Sequence, residues 1–237
     1  MGRGTYLNLC DGQRELFKEN INNIRELFFE RIYPTFENSA QEAEVYQVEL
    51  WNSLMEQSCD GDTDPSDFVE DIREAAFYKY EILSLMHYRT ICMWVACMYQ
   101  VWVQQLYAFV IQEERINFNS FNCNKGNDEF KYVRKVFERH NQPLDKMSCW
   151  AKLDELRLLV NVIKHGEGKS EEDLRKVRPE YFKHSGLLDE DEYDSFALYR
   201  TALLEQTLKI DKQDFNEYCD VLLLFWDELP GSMSSSV

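Results

Sequence analysis

The amino-acid sequence predicts an all-α fold, a helical bundle with one very long central helix and an N-terminal helical extension. The 237 residues include nine glycines and five prolines, which is too few for a fold made of many tight turns. Hydrophobic residues make up 44% of the chain and aromatic residues 14%, so the protein can build a large core and is not an intrinsically disordered acidic chain. Residues 66–116 run without glycine or proline and predict the central helix.

Residues 1–65 predict the helical extension. Residues 11–33 carry apolar side chains at helical spacing, and we expect an amphipathic helix that Pro34 ends. A second helix is expected over about 39–58. An acidic loop follows, and its alternating aspartates have the rhythm of a calcium loop. Because Pro65 stands where such a loop needs glycine, we expect an acidic turn there instead.

Within the central helix, residues 90–111 are apolar enough to raise the question of a membrane span. Gln100, Gln104 and Gln105 lie in this segment, together with tyrosine and tryptophan. A spanning helix needs about 20 apolar residues with few polar groups, so a buried central helix is the better interpretation. We expect no contact with a membrane.

The rest of the chain predicts further helices of the same bundle, which extends over residues 66–230 and precedes a disordered tail at 231–237. Asp211 has the position of a helix N-cap, and a short extended piece is expected just before it. The expected helices cover about 128–141, 149–165, a short stretch from Ser170, 190–204 and 211–229.

The net charge of −17 is unevenly distributed. Aspartate and glutamate outnumber lysine and arginine by 17 to 7 in residues 1–80 and by 12 to 3 in residues 186–237. Residues 81–185 contain 14 acidic and 16 basic residues, so any contact with phosphate should lie there. Ordinary solvated helix faces would account for the same counts.

The cysteine and histidine content indicates a reducing compartment and offers few metal ligands. Seven cysteines include no Cys-x-x-Cys pair, and the four histidines stand apart from one another. The first residues lack a cationic stretch followed by an apolar core, which a secretory signal needs. We expect a cytoplasmic protein with no metal and no cofactor.

The segment from Lys152 to Gly166 carries most of the functional signal. On a helical wheel five of its polar residues fall in one arc of roughly 100°, flanked by leucine, valine and isoleucine: Asp154, Arg157, Asn161, Lys164 and His165. Arg157, Asn161 and His165 follow at i, i+4 and i+8, with Lys164 beside them. A cation, an amide and an imidazole in one line could converge on a phosphate.

Ordinary helix chemistry explains the same residues. Lys164 and His165 suit the negative end of a helix dipole, and Gly166 suits the cap that follows. Arg157 could pair with Asp154 or solvent, and Asn161 could bind a neighbouring loop. Both interpretations stay open on the sequence alone.

The run LRLLVNVIKHG, followed by a Gly/Ser linker and RPEYF, resembles the bacterial branch of the HEPN (higher eukaryotes and prokaryotes nucleotide-binding) superfamily. The resemblance implies a helical bundle, a homodimer, and metal-independent RNA cleavage by an Arg-x(4–6)-His motif. It makes His165 the general acid or base, Arg157 and Lys164 the groups that stabilise phosphate charge, and Asn161 the orienting group. The motif's arginine position before Asn161 is Val160, and Arg157 lies further from His165 than the motif allows.

Two other segments match Arg-x5-His literally. Arg134 and His140 lie near a predicted helix end in the basic middle of the chain and form the second-ranked catalytic pair. Arg178 and His184 flank a proline-containing segment that we expect to be a loop. Chance alone supplies such pairs at this arginine and histidine content.

Three kinds of function follow. The first is a HEPN-like effector or toxin of a bacterial phage-defence or toxin–antitoxin system that cleaves RNA at a dimeric site. The second is a catalytically silent HEPN-like subunit that binds a partner protein in a defence complex through its acidic N- and C-terminal helices. The third is an unrelated helical regulatory protein. The run at Asp189–Glu192 is expected to be a solvated helix start or to occupy a basic patch on a partner.

Overall fold

The structure, a computed structural model, describes residues 5–57, 68–117, 129–185 and 192–235. Helices dominate this part of the chain and confirm the predicted all-α bundle. The α-helices are α1 (Asp11–Leu27), α2 (Ser39–Gln57), α3 (Val69–Asn117), α4 (Glu129–Arg139), α5 (Trp150–His165), α6 (Lys169–Val177), α7 (Ser195–Tyr199) and α8 (Lys212–Glu228). The aspartates of the calcium-like loop at 60–64 lie outside the described residues.

The central helix α3 is 49 residues long, and its second half is the apolar axis of the bundle. Trp102, Leu106 and Phe109 are buried in the core to which α1, α4, α5 and α8 contribute. The Gln105 side chain donates to the Phe17 carbonyl (3.1 Å) and accepts from the Trp226 indole (3.2 Å). These bonds satisfy a buried amide, as a core position requires. Within the described ranges, no helix is long and apolar enough to cross a membrane.

Helix α1 ends differently from the sequence prediction. The chain continues past Leu27 through a π-helical turn (Phe28–Ile32) and a 3-10 turn (Tyr33–Phe36). Pro34 lies in the first turn of the 3-10 segment, where the N–H that proline lacks would have no helical acceptor. Phe17, Ile21 and Phe28 join the central core, so this part of the predicted extension packs with α3 and α8.

Two short antiparallel strand pairs add to the helices. Strand β1 (Tyr6–Asn8) pairs with β4 (Ser232–Ser234), with Leu7 opposite Met233, and both of these side chains are buried. The sequence places this C-terminal segment in a disordered tail, but burial of Met233 and the ladder to β1 order it. Strand β2 (His184–Ser185) pairs with β3 (Glu192–Tyr193).

The helix expected over 190–204 is reduced to α7, which spans five residues. Arg200 adopts a left-handed conformation (φ 56°) and ends it. The turn that follows is fastened to α3, because the Tyr88 hydroxyl donates to the Ala202 carbonyl (2.7 Å) and Arg89 donates to the carbonyls of Leu203 and Leu204. Most of the acidic run before β3 lies outside the described residues.

Candidate functional site

Helix α5 packs its apolar residues into the core and leaves one polar stripe. Apolar residues on two sides of α5 are buried, and they anchor the helix in the core. They are Leu153, Leu156, Leu158, Leu159, Val160, Val162 and Ile163. Val160, which occupies the arginine position of the HEPN motif, is fully buried. An arginine there would place its charge in the core, so the polar function of this helix cannot involve residue 160.

The four primary candidate residues are exposed or half-buried along that stripe. The Arg157 guanidinium donates to the Asp154 carboxylate (Nε–Oδ1 2.8 Å), and the Asn161 amide donates to the Ser170 hydroxyl (3.2 Å). Lys164 donates to the Gln100 side chain on α3 (3.2 Å). His165 is exposed, and no side chain in the described ranges hydrogen-bonds its imidazole. Three of the four groups are therefore already engaged within the protomer.

Arg157 and His165 do not converge on one point. They are eight residues apart on a straight helix, which separates them by about 12 Å along the axis. The Arg157 guanidinium is held against Asp154, on the side away from His165, so the two side chains do not meet at one phosphate in this structure. A reaction centre that uses both residues therefore needs either an extended ligand or groups from a second chain.

Gly166 owes its identity to packing. Its φ of 74° lies in the region that favours glycine, and a β-carbon there would collide with the Arg200 carbonyl oxygen. The same carbonyl accepts from the Glu167 amide (3.1 Å). Gly166 and Glu167 thus hold the start of the turn after α7 against the end of α5.

The second-ranked pair, Arg134 and His140, is not brought together by the structure. His140 is buried at the end of α4, where its Nδ1 donates to the Val136 carbonyl (2.8 Å). Its Nε2 lies 3.1 Å from the Thr5 hydroxyl and, in the neutral ring, accepts from it. Both ring nitrogens have partners inside the fold, and His140 connects the end of α4 to Thr5, the residue before β1.

Arg134 instead meets Arg157 in a cleft between α4 and α5. This cleft, which we call the cationic cleft, has a volume of about 460 Å³ and is lined by Phe130, Lys131, Arg134, Lys135, Glu138 and Arg157. It contains four cations and one carboxylate, although the chain as a whole has a charge of −17. Among the side chains that the structure describes, none forms an ion pair with Arg134 or Lys135.

An aromatic wall borders the cationic cleft. The rings of Phe130 and Trp150 are nearly parallel, 4° between planes, with centroids 6.2 Å apart. The Arg134 guanidinium lies over the Trp150 indole at 5.2 Å. Cations beside half-exposed aromatic rings are the combination that single-stranded nucleic acids bind through phosphate contacts and base stacking.

Sequence reasoning selected Arg134 and Arg157 for separate motifs and missed Lys131 and Lys135. The signal was present, because 131, 134, 135 and 138 follow the i, i+3, i+4, i+7 spacing of one helix face. That this face is adjacent to Arg157 depends on the packing of α4 against its neighbours, which no local pattern reveals.

The third Arg-x5-His pair is also separate. His184 lies on β2 next to Tyr193, whereas Arg178 belongs to a polar network that joins α5 to α8. Arg178 donates to Glu155 (2.8 Å) and Asp214 (3.0 Å). This arrangement gives Arg178 a structural role in holding two helices together.

Two buried tyrosines complete this polar network. The Glu155 Oε1 atom accepts from Arg178, from Lys152 (2.7 Å) and from the Tyr218 hydroxyl (2.8 Å). Tyr181 donates to Asp214 (2.6 Å) and lies 2.9 Å from the Tyr218 hydroxyl. Burial raises the pKa of both tyrosines well above the usual range, so both stay protonated.

Metal ligands are sparse in the described parts of the chain, where no three His, Cys, Asp or Glu side chains are grouped as a metal site.

Comparison with protein-family models, with curated proteins and with solved structures gives no match for this chain.

Proposed function

We propose that this protein binds single-stranded RNA in the cationic cleft and, as a homodimer, cleaves it without a metal ion. Its biological role would be that of a HEPN-like effector or toxin in a bacterial phage-defence or toxin–antitoxin system. The observation that carries the proposal is the convergence of Arg134 and Arg157 with two lysines in one cleft of an otherwise acidic chain. Phosphate contacts supply most of the affinity for nucleic acid, so RNA should bind here first.

Cleavage would take place further along α5. His165 would withdraw the 2′-hydroxyl proton or protonate the leaving 5′-oxygen, and Lys164 would stabilise charge on the phosphorane. Asn161 would orient the ribose or phosphate. RNA bound by Arg157 in the cationic cleft would extend along the polar stripe to His165. An extended strand can contact both residues although they are two turns apart.

Exposed apolar side chains near the end of α5 favour a second copy at this site. Lys164 contacts Gln100, and Met93, two turns earlier on the same face of α3, is 60% exposed. Arg89 on α3 holds the turn that carries Leu204, which is 54% exposed. A second protomer that covers these residues would bring two His165 side chains toward one cleft.

RNA binding is tested with a labelled single-stranded RNA and fluorescence anisotropy at several salt concentrations. Lys135→Glu should weaken binding about tenfold and lower the slope of log affinity against log salt by about 0.7, the value for one phosphate contact. Lys209→Glu, an identical charge change on the loop before α8, is the matched control. Equal losses in the two variants would show a general charge effect and contradict a specific cleft.

RNA cleavage is tested by expressing the wild type, His165→Ala and Arg157→Ala in bacteria and measuring growth and total RNA integrity. The proposal expects growth arrest and RNA fragments with the wild type alone. Purified dimer should give the same fragments in the presence of a chelator. Intact RNA with the wild type, with any activating partner present, would contradict cleavage.

A second candidate function is the catalytically silent subunit of a defence complex. It is favoured because most polar residues of the α5 stripe already form hydrogen bonds within the protomer. Arg157 is paired with Asp154, Asn161 with Ser170 and Lys164 with Gln100, while the buried Val160 excludes the motif arginine. Under this function, the wild type leaves RNA intact, and His165→Ala changes neither growth nor the assembly of the complex.

A further inference from the structure

The chain forms a two-helix arm from α2 and the first part of α3, residues 69–86. Helix α2 packs mainly on α3, and of its described side chains Ser39 and Ala43 alone are buried. A helix of 19 residues in the interior of a bundle would bury a full apolar stripe. Much of the arm surface is thus open to other molecules.

Large apolar side chains are exposed in lines on both helices of the arm. On α3, Tyr78, Ile82 and Met86 follow at i, i+4 and i+8, with exposures of 64%, 44% and 42%. On α2, Val45 and Val48 are at least half exposed. Scattered exposed residues are ordinary, but contiguous apolar lines of this kind are typical of interaction sites.

A groove between the two helices includes Val48 of the α2 line. Its volume is about 350 Å³, and its lining consists of Val48, Trp51, Val69 and Ile72 with Glu44 and Gln47. A second depression on the α3 side, of about 560 Å³, combines Tyr78 with Asp71, Glu74 and Glu81. Both sites place carboxylates directly beside apolar surface.

The charge of the arm restricts what can occupy it. Residues 39–57 and 69–86 together contain eight acidic and two basic residues, a net charge of −6. A second copy docked by the same face would oppose carboxylates to carboxylates, and RNA or an anionic lipid surface would be repelled in the same way. A cationic segment with apolar anchors is complementary to both properties of the surface.

We infer that the arm binds a basic amphipathic helix of a partner protein, which lays its apolar face into the groove of Val48, Trp51 and Ile72. Lysine or arginine side chains on the flank of that helix pair with Glu44, which lines the groove. This is helix-in-groove recognition, in which apolar anchors supply affinity and charges supply specificity and rate. The inference holds whether or not the cationic cleft binds RNA, because the two surfaces share no residue.

The test uses the full chain and a synthetic 18-residue peptide of leucine and lysine at helical amphipathic spacing. A peptide with glutamate in place of every lysine is its matched control. We expect saturable binding of the lysine peptide that weakens with salt, no binding of the glutamate peptide, and hydrogen-exchange protection within α2 and residues 69–86.

Two variants locate the binding site. Val48→Glu should weaken the lysine peptide about tenfold, since it charges a central anchor position. Leu198→Glu makes the same kind of change on α7, where Leu198 is 75% exposed, and should leave binding unaltered. Circular dichroism and thermal unfolding of both variants verify that the fold is retained.

The inference is wrong if the two peptides bind equally well, or if Val48→Glu and Leu198→Glu weaken binding of the lysine peptide equally. It is also wrong if the peptide protects amide hydrogens from exchange only outside the arm. A self-association measured by sedimentation that Val48→Glu abolishes would assign the groove to a second copy. Binding to anionic vesicles that Val48→Glu abolishes would assign it to a lipid surface.

Discussion

The carbonyl oxygen of Arg200 occupies the space beside Gly166 that the β-carbon of any other residue would need. Gly166 also has a positive φ of 74°. The end of α5 and the turn after α7 are therefore packed backbone against backbone, next to His165. Packing alone requires glycine at this position, independently of any catalytic motif.

We expect Gly166→Ala to lower the free energy of unfolding by about 2–3 kcal/mol, the combined cost of an unfavourable φ and a displaced carbonyl. Gly12→Ala is the matched control, because a β-carbon on Gly12 meets no atom within 4 Å and the residue lies in helix α1. It should leave stability unchanged or raise it by up to about 1 kcal/mol. Urea unfolding followed by circular dichroism measures both, and equal effects would contradict the packing argument.

Adjacent carboxylates on α5 should differ sharply in their importance for stability. Glu155→Ala leaves Arg178, Lys152 and Tyr218 without a shared acceptor and should cost about 3 kcal/mol. Asp154→Ala removes a partly exposed ion pair with Arg157 and should cost less than about 1 kcal/mol. Chemical unfolding of the two variants compares them, and a similar cost would mean that the buried network contributes little.

The Asp154–Arg157 pair also predicts a change in RNA affinity. Asp154→Asn removes the carboxylate that Arg157 now contacts and leaves its guanidinium available to the cationic cleft. RNA should bind about threefold more tightly, a gain typical of releasing an exposed ion pair. Asp145→Asn, an equal charge change outside the cleft lining, is the control in the anisotropy assay. If both variants bind like the wild type, Arg157 does not contact the RNA.

The two candidate histidines should separate catalysis from folding. His165 is exposed, so His165→Ala should change stability by less than about 0.5 kcal/mol while it abolishes RNA cleavage. His140→Ala removes two buried hydrogen bonds and should cost about 2–3 kcal/mol.

At a temperature where His140→Ala is fully folded, its cleavage rate should equal that of the wild type. Thermal unfolding and fragment analysis on the same samples give both readouts. A folded His140→Ala variant without activity would return His140 to the catalytic candidates.

His87 predicts a dependence of stability on pH. Burial lowers the pKa of its imidazole below 6.5, with Glu37 opposing and Lys212 reinforcing this change. The unfolded chain then binds the proton more readily, so the folded state loses stability as pH falls below about 6.5. His87→Phe should reduce the difference in melting temperature between pH 7.5 and pH 5.5. An unchanged pH dependence in His87→Phe would contradict this assignment.

Features with a local cause could be predicted from the sequence. The bounds of α5 were predicted to within a residue, because its apolar spacing and the following glycine are both local signals. The capping role of Asp211 is confirmed, since its carboxylate accepts from the amides of Gln213 and Asp214 at the start of α8. These elements depend on residues a few positions apart.

Features that depend on distant contacts could not be predicted. The segment after Tyr199 has helical spacing, yet Tyr88 and Arg89 on α3 hold it as a turn. The pairing of β1 with β4 joins residues more than 220 positions apart. The cationic cleft has the same origin, because the meeting of Arg134 and Arg157 follows from how α4 packs and not from either motif.

The pairing of β1 with β4 also has a kinetic consequence. Helix α1 and β1 pack not only on α3 but also on α8 and β4, which a ribosome makes much later than α1. Until α8 has emerged, Phe17, Ile21 and Phe28 have no complete core to enter. Such long-range contacts slow folding. We expect these apolar residues to be prone to aggregation in the nascent chain until α8 is available to cover them.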